Sequence, residues 1–153
     1  RWFPLKLAGE RVATFFTFSA TKKFERELRL AGLRLSETQA MCEDAESCQA
    51  SDFIVRYEQQ VQRVQSAANR LPATQRQGAS EKIITALAQH DVIFGELQES
   101  GPKNVQDVFA QATEKSRQGL GHAFESMVQQ LTPEVQKRVT EKLRLAMPQF
   151  KMN

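Results

Sequence analysis

The sequence predicts an all-α fold, a five- or six-helix bundle organised on one long antiparallel helical hairpin. Apolar residues recur at alternating steps of four and three through every long segment, the spacing that places them on one face of a helix. The chain holds 7 glycines and 5 prolines in 153 residues, too few for the frequent turns of a β fold. Runs of alternating β-branched residues between turn clusters are absent as well. The length fits a single domain over residues 1–153, able to bury a core without metals or several disulfides.

In chain order, residues 1–18 read as an N-terminal helix. Pro4 suits a first helical turn, and Leu5, Ala8, Val12 and Phe15 share one face. Ser19 then reads as the N-cap of a separate long arm, its hydroxyl accepting from a free first-turn amide. Residues 19–71 form the hairpin, the strongest pattern in the chain. Phe24, Leu28, Ala31, Leu35, Thr38 and Cys42 line one arm, and Ile54, Tyr57, Val61, Val64, Ala68 and Leu71 line the other. Between them Cys-Glu-Asp-Ala-Glu-Ser-Cys interrupts the apolar pattern, so the chain turns there and the arms pack antiparallel. Each arm of about 20 residues spans roughly 30 Å.

The second arm starts at Gln49 or Ser51 and closes at Pro72. Residues 72–80 read as a linker. The C-terminal helices occupy residues 79–147. The first carries Ile83, Leu87, His90, Phe94 and Leu97, and Ser100-Gly101-Pro102 ends it, with glycine expected in a left-handed cap. The next runs from about Lys103 to Leu131, with Val105, Phe109, Ala112, Ser116, Leu120, Ala123 and Met127 inward. Gly119 and Gly121 interrupt it at a cost of up to about 1 kcal/mol each, which predicts a kink or a close helix approach. Thr132-Pro133-Glu134 opens a last helix with a hydroxyl cap, proline at the first position and an acid at the positive end of the dipole. Its apolar side is Val135, Val139, Leu143 and Ala146, and Pro148 ends it.

Net charge is +3 with a pI near 9.0. Bases and acids alternate along every segment, as in Lys22, Lys23, Glu25, Arg26, Glu27 and Arg29, and basic blocks with interleaved aromatics are missing. This patterning describes a solvated helix face and predicts no nucleic-acid partner. No apolar run reaches the roughly 18 residues of a membrane span. The chain begins at Arg1 rather than methionine, and Trp2, Phe3, Phe15, Phe16 and Phe18 crowd this end. Two readings stay open: an ordinary inner stripe, and a segment lying against a membrane just after an anchor upstream of Arg1.

Cys42 and Cys48 are the only cysteines. Five intervening residues at a hairpin tip allow a disulfide, which on chain-entropy grounds adds about 2 kcal/mol. A metal site on the two thiols with Glu43, Asp44 or Glu46 lacks zinc-knuckle spacing and a neighbouring histidine. His90 falls on an inner stripe and reads first as a core histidine bonded to a neighbour. The competing metal reading joins His90 and His122 to Asp91 or Glu125. Leu87 and Gly119 stand where a ferritin-like Glu-x-x-His pattern needs glutamates, which excludes a di-iron centre. Gly119-Leu120-Gly121 sits inside a helical pattern rather than after a strand, so it is no phosphate loop. No catalytic residue and no cofactor are predicted.

Several stretches resemble a bacterial extracytoplasmic domain family of unknown function that usually follows a single membrane anchor. They are Pro4-Leu5-Lys6-Leu7 with Phe16-Thr17-Phe18, Glu27-Leu28-Arg29-Leu30-Ala31-Gly32-Leu33-Arg34-Leu35, Tyr57-Glu58, Ala88-Gln89-His90, and Ser116-Arg117-Gln118-Gly119 with Ala123. The resemblance covers roughly residues 4–131. The family has a short glycine-containing turn where this chain has its cysteine segment, which keeps the hairpin and makes the tip particular to this protein. Leu131-Thr132-Pro133-Glu134 also faintly resembles the Leu-Thr-x-x-Gln motif of periplasmic stress chaperones, with Val135 in place of the glutamine.

The resemblance implies an envelope-facing helical domain and brings no catalytic residues. The expected role is a non-catalytic interaction or sensory module in the periplasm or envelope, membrane-tethered, with a protein or envelope component as partner. A monomer and a homodimer are both compatible with the pattern. A metal or small-ligand bundle instead requires His90 and His122 to converge with acids. A holdase-like chaperone requires an exposed concave apolar surface.

Overall fold

Helical periodicity becomes five α-helices in the computed structural model, which describes residues 5–43, 48–148 and 150, with side chains from Ser19 onward. They are α1 (Leu5–Met41), α2 (Ala50–Asn69), α3 (Arg76–Ser100), α4 (Gln106–Val128) and α5 (Pro133–Ala146), with 3-10 turns at Ala73–Gln75 and Lys103–Val105. The described residues contain no strand. The fold is all-α.

The largest departure from the sequence pattern lies in α1, which runs unbroken through Ser19 for 37 residues. Ser19, Ala20 and Thr21 include no proline or glycine, and serine or threonine inside a helix costs only a few tenths of a kcal/mol, so nothing ends the first helix. Ser19 is therefore not a cap. The expected stripe of Leu5, Ala8, Val12 and Phe15 lies outside the described side chains, as does the aromatic cluster of Phe15, Phe16 and Phe18. Trp2 and Phe3 lie outside the described residues.

From Phe24 to Cys42 every predicted inward residue of α1 is buried. Thr38 is tolerated there because its hydroxyl donates to the Arg34 carbonyl at 2.9 Å. On α2, Tyr57, Val61, Val64, Ala68 and Leu71 are buried as expected, but Phe53 rather than Ile54 fills the first turn, and Gln60 and Ala67 join the buried face. The arc is wider than a single stripe because α2 packs against α1 on one side and α4 on the other. α4 also covers α3, and α5 packs on α3. Tyr57 sits where these layers meet, its ring perpendicular to Phe94 at 5.2 Å and tilted against Phe53 at 5.7 Å.

The expected linker shrinks to one 3-10 turn, since α3 begins at Arg76 and carries Gly78 within its first turn. Gly101 ends α3 in extended backbone, φ −74° and ψ 167°, rather than the left-handed cap that the sequence suggested. Glycine is still required there. Its amide donates to the Leu97 carbonyl at 2.9 Å, and a Cβ would lie 2.3 Å from that same oxygen. α5 starts as predicted, with Thr132 Oγ1 accepting from the Val135 amide and Pro133 in the first position. Ala146 is exposed, and Met147 takes its expected inward place as the backbone leaves the helix.

Candidate functional site

Cys42 and Cys48 are joined by a disulfide across the tip of the hairpin, with Cα atoms 4.3 Å apart. The link ties the C-terminus of α1 to the start of α2 and fixes the register of the two arms. Gln60 on α2 meets Glu27 on α1, and Lys23 shares a groove with Ala67 and Arg70 at the far end. The arms are therefore antiparallel over the whole of α2, and α1 continues past it towards its N-terminus.

Beneath the hairpin lies a buried polar chain across three helices. Tyr57 on α2 donates its hydroxyl to Ser116 Oγ on α4 at 2.8 Å. The same oxygen lies 2.7 Å from His90 Nδ1 on α3 and accepts from it when Nδ1 carries the ring proton. Gly32 on α1 lies beside the ring, where a Cβ would stand in ordinary contact, 3.6 Å from His90 Nε2. All three polar residues are at most 3% exposed. Burial pushes the Tyr57 phenol above its ordinary range, opposed by the bond to Ser116. Burial also lowers His90 to about 4. At neutral pH the chain is uncharged, and it ties α2, α3 and α4 together.

His90 therefore makes stability depend on pH. Its folded value lies below the ordinary value of about 6.5, so between the two the unfolded chain binds a proton that the folded chain refuses. The contribution is present above about pH 6.5, declines as pH falls towards about 4 and is flat below that, with an integrated size of roughly 3 kcal/mol. Urea unfolding at pH 7 and pH 5 should show the parent losing about 2 kcal/mol more than His90→Gln. Equal losses in the two proteins would remove His90 as the cause.

His122 is exposed and lines an open groove of about 220 Å³ between α2 and α4, whose wall includes Gln62, Gln65, Lys115 and Gly119. His90 and His122 thus occupy different environments, one in the core and one on the surface. Asp91 engages Arg117, whose Nε and Nη2 reach the same carboxylate oxygen at 2.9 and 2.8 Å. Among the described residues no group of three or more histidines, cysteines, aspartates and glutamates could hold a metal ion. The convergence of His90 and His122 with Asp91 or Glu125, which a bundle metal site needs, does not form. Among the described side chains the exposed large apolar ones, Leu33, Met41, Val55, Val92 and Leu145, are spread over four helices.

A groove of about 580 Å³ runs along the outer face of the hairpin between α1 and α2. Lys23, Glu27, Gln59, Gln62, Arg63, Ser66 and Arg70 line it, and a second hollow of about 230 Å³ continues it past Arg63 to Arg56 and Arg34. Glu27 is nearly buried, accepting from Gln60 Nε2 at 2.5 Å, with Arg26 3.8 Å from its other oxygen. Lys23, Arg56, Arg63 and Arg70 make no ion pair among the described residues. In the sequence these cations belong to an alternating, solvated face, and the signal that sets them apart is the seven-residue recurrence of Arg56, Arg63 and Arg70, which keeps them on one side of α2.

The family described as a domain of unknown function (DUF5667) matches residues 1–144. No curated protein and no solved structure matches the chain.

Proposed function

This chain belongs to DUF5667, a family of domains of unknown function, and on that premise we propose that it is a non-catalytic interaction or sensory module of a bacterial extracytoplasmic protein. In this reading it is tethered to the membrane through a segment upstream of Arg1. The observation that carries the reading is the division between core and surface. Tyr57, His90 and Ser116 are spent on one another inside the bundle, whereas the α1–α2 groove turns to solvent cations that make no ion pair among the described residues, with the amides of Gln59 and Gln62 beside them. Long helices braced by α3 and α4 hold that face rigid, which limits the ordering cost of binding. The disulfide between Cys42 and Cys48 suits an oxidising compartment. The partner is a protein or envelope component rather than nucleic acid.

A photo-crosslinking residue placed at Gln62, in the groove, and separately at Val92, exposed on α3, tests this reading in cells that carry the intact protein. Specific adducts from Gln62 and none from Val92 are expected. Adducts from Val92 alone, or from neither position, would contradict it.

A further inference from the structure

The charged lining of the α1–α2 groove is mainly positive. Lys23, Arg34, Arg56, Arg63 and Arg70 line the two connected hollows, with Glu27 as their sole carboxylate. The lining of these two hollows carries four more positive than negative charges, offset towards the hairpin tip by Glu37 and Asp52, which share an adjoining hollow with Arg34 and Arg56. Among the described residues Lys23, Arg56, Arg63 and Arg70 form no ion pair, whereas Arg34 pairs with Glu37 at 3.4 Å, both side chains well exposed, and Asp52 shares a small hollow with Arg34 and Arg56. A row of cations along one groove raises the local positive potential and favours an anionic partner.

Resting on the interaction reading above, we infer that the groove binds an acidic polypeptide segment laid along the hairpin. Its carboxylates meet Arg70, Arg63 and Arg56 in turn. Three features favour a polypeptide over a phosphate polymer. The arginines are separated by seven residues, about 10.5 Å along the helix, so each is placed to take one carboxylate in a forked pair rather than to converge on a dense phosphate. Gln59 and Gln62 stand between them, and their amides both donate and accept, which matches the peptide bond. Glu27 lies in the floor and repels a closely spaced polyanion while tolerating neutral residues of a peptide above it. The strip from Arg56 to Arg70 is about 21 Å long, which an extended segment of roughly seven residues covers.

The test is fluorescence anisotropy of a labelled oligo-glutamate of about ten residues, long enough to cover the strip, titrated with the full 153-residue chain. The parent should bind. Arg63→Gln with Arg70→Gln should weaken binding by at least about tenfold, as expected for losing two charge-assisted pairs, and the effect should shrink as salt rises. A control with the same change in net charge, Lys103→Gln with Lys137→Gln, in the 3-10 turn before α4 and on α5, should leave affinity nearly unchanged. Both pairs replace exposed side chains, and unaltered thermal melting confirms folding. No binding by the parent, or equal weakening in the control, would overturn the inference. So would polyphosphate or single-stranded DNA displacing the peptide at lower charge concentration than oligo-glutamate does. If Gln62 crosslinks a partner while oligo-glutamate fails to bind, the acidic chemistry falls and the interaction reading stands.

Discussion

Replacing Tyr57 by alanine should lower the unfolding free energy by about 4 kcal/mol, the range for deleting a fully buried aromatic ring. The side chain is 0% exposed and is packed against Phe53, Phe94 and His90, with centroids 5.2 to 5.8 Å away. Alanine would leave a cavity at the meeting of three helices and strand the Tyr57 partners, His90 Nδ1 and Ser116 Oγ, in the core. A domain of this size has total stability of roughly 5–15 kcal/mol, so the variant sits near its folding limit. Tyr57→Phe separates the two contributions. It keeps the ring and removes the hydroxyl, and should cost about 1–3 kcal/mol through the two polar groups that lose a partner. Urea unfolding of both variants provides the comparison. Equal losses would place the whole effect in the polar chain and none in packing.

Gly119→Val should cost about 3 kcal/mol, the upper end for overpacking a well-filled core. The backbone of α4 comes so close to α2 here that even the first carbon of a side chain would lie 2.2 Å from Val61 Cγ1 and 3.5 Å from its Cβ. Val61 cannot swing aside, because its branched side chain has essentially one rotamer in a helix. Gln65 Nε2 donates to the Gly119 carbonyl at 2.6 Å, so separating the helices would also stretch that bond. Gly119→Ala should be milder because alanine regains up to about 1 kcal/mol of helix propensity. Adding Val61→Ala should recover part of the loss, giving a coupling of at least about 1 kcal/mol in a double-mutant cycle. Additive losses would contradict the close approach. Gly78→Ala, with nothing within 4 Å of the new methyl, should instead be neutral or stabilising by up to about 1 kcal/mol.

These two residues show how the sequence carries the fold. The inward stripes of α3 and α4 were legible residue by residue, as was that of α1 from Phe24 onward, because period 3.6 burial needs no knowledge of the partner helix. Gly119 announced a close approach or a kink, and the close approach to Val61 is what the fold contains. Boundaries were less legible. Ser19 has the chemistry of a cap, yet a cap needs free amides, and the continuous α1 leaves none there. Gly101 stops α3 as its Ser-Gly-Pro setting indicates, but in extended backbone rather than a left-handed cap, since its requirement comes from the Leu97 carbonyl.

The candidate site was legible only in pieces. Tyr57, His90 and Ser116 each fell on an inner stripe, but their meeting depends on the relative rotation of three helices, which no single stripe encodes. His90 and His122 are 32 positions apart on neighbouring helices, and whether they converge is again a matter of rotation. The arginine recurrence on α2 was present in the chain. Its meaning required the fold, because Lys23 and Arg34 reach the same groove only once α1 lies antiparallel to α2.

On the function proposed above, this domain acts through the outer face of its hairpin and not through its polar core. The most direct measurement compares partner capture at Gln62 in two variants, Arg63→Glu in the groove and Tyr57→Phe in the core, alongside their thermal melting. Arg63→Glu should melt like the parent and lose the adduct, whereas Tyr57→Phe should melt lower and retain it. Loss of the adduct in Tyr57→Phe at a temperature where it is folded, with full capture by Arg63→Glu, would contradict the claim.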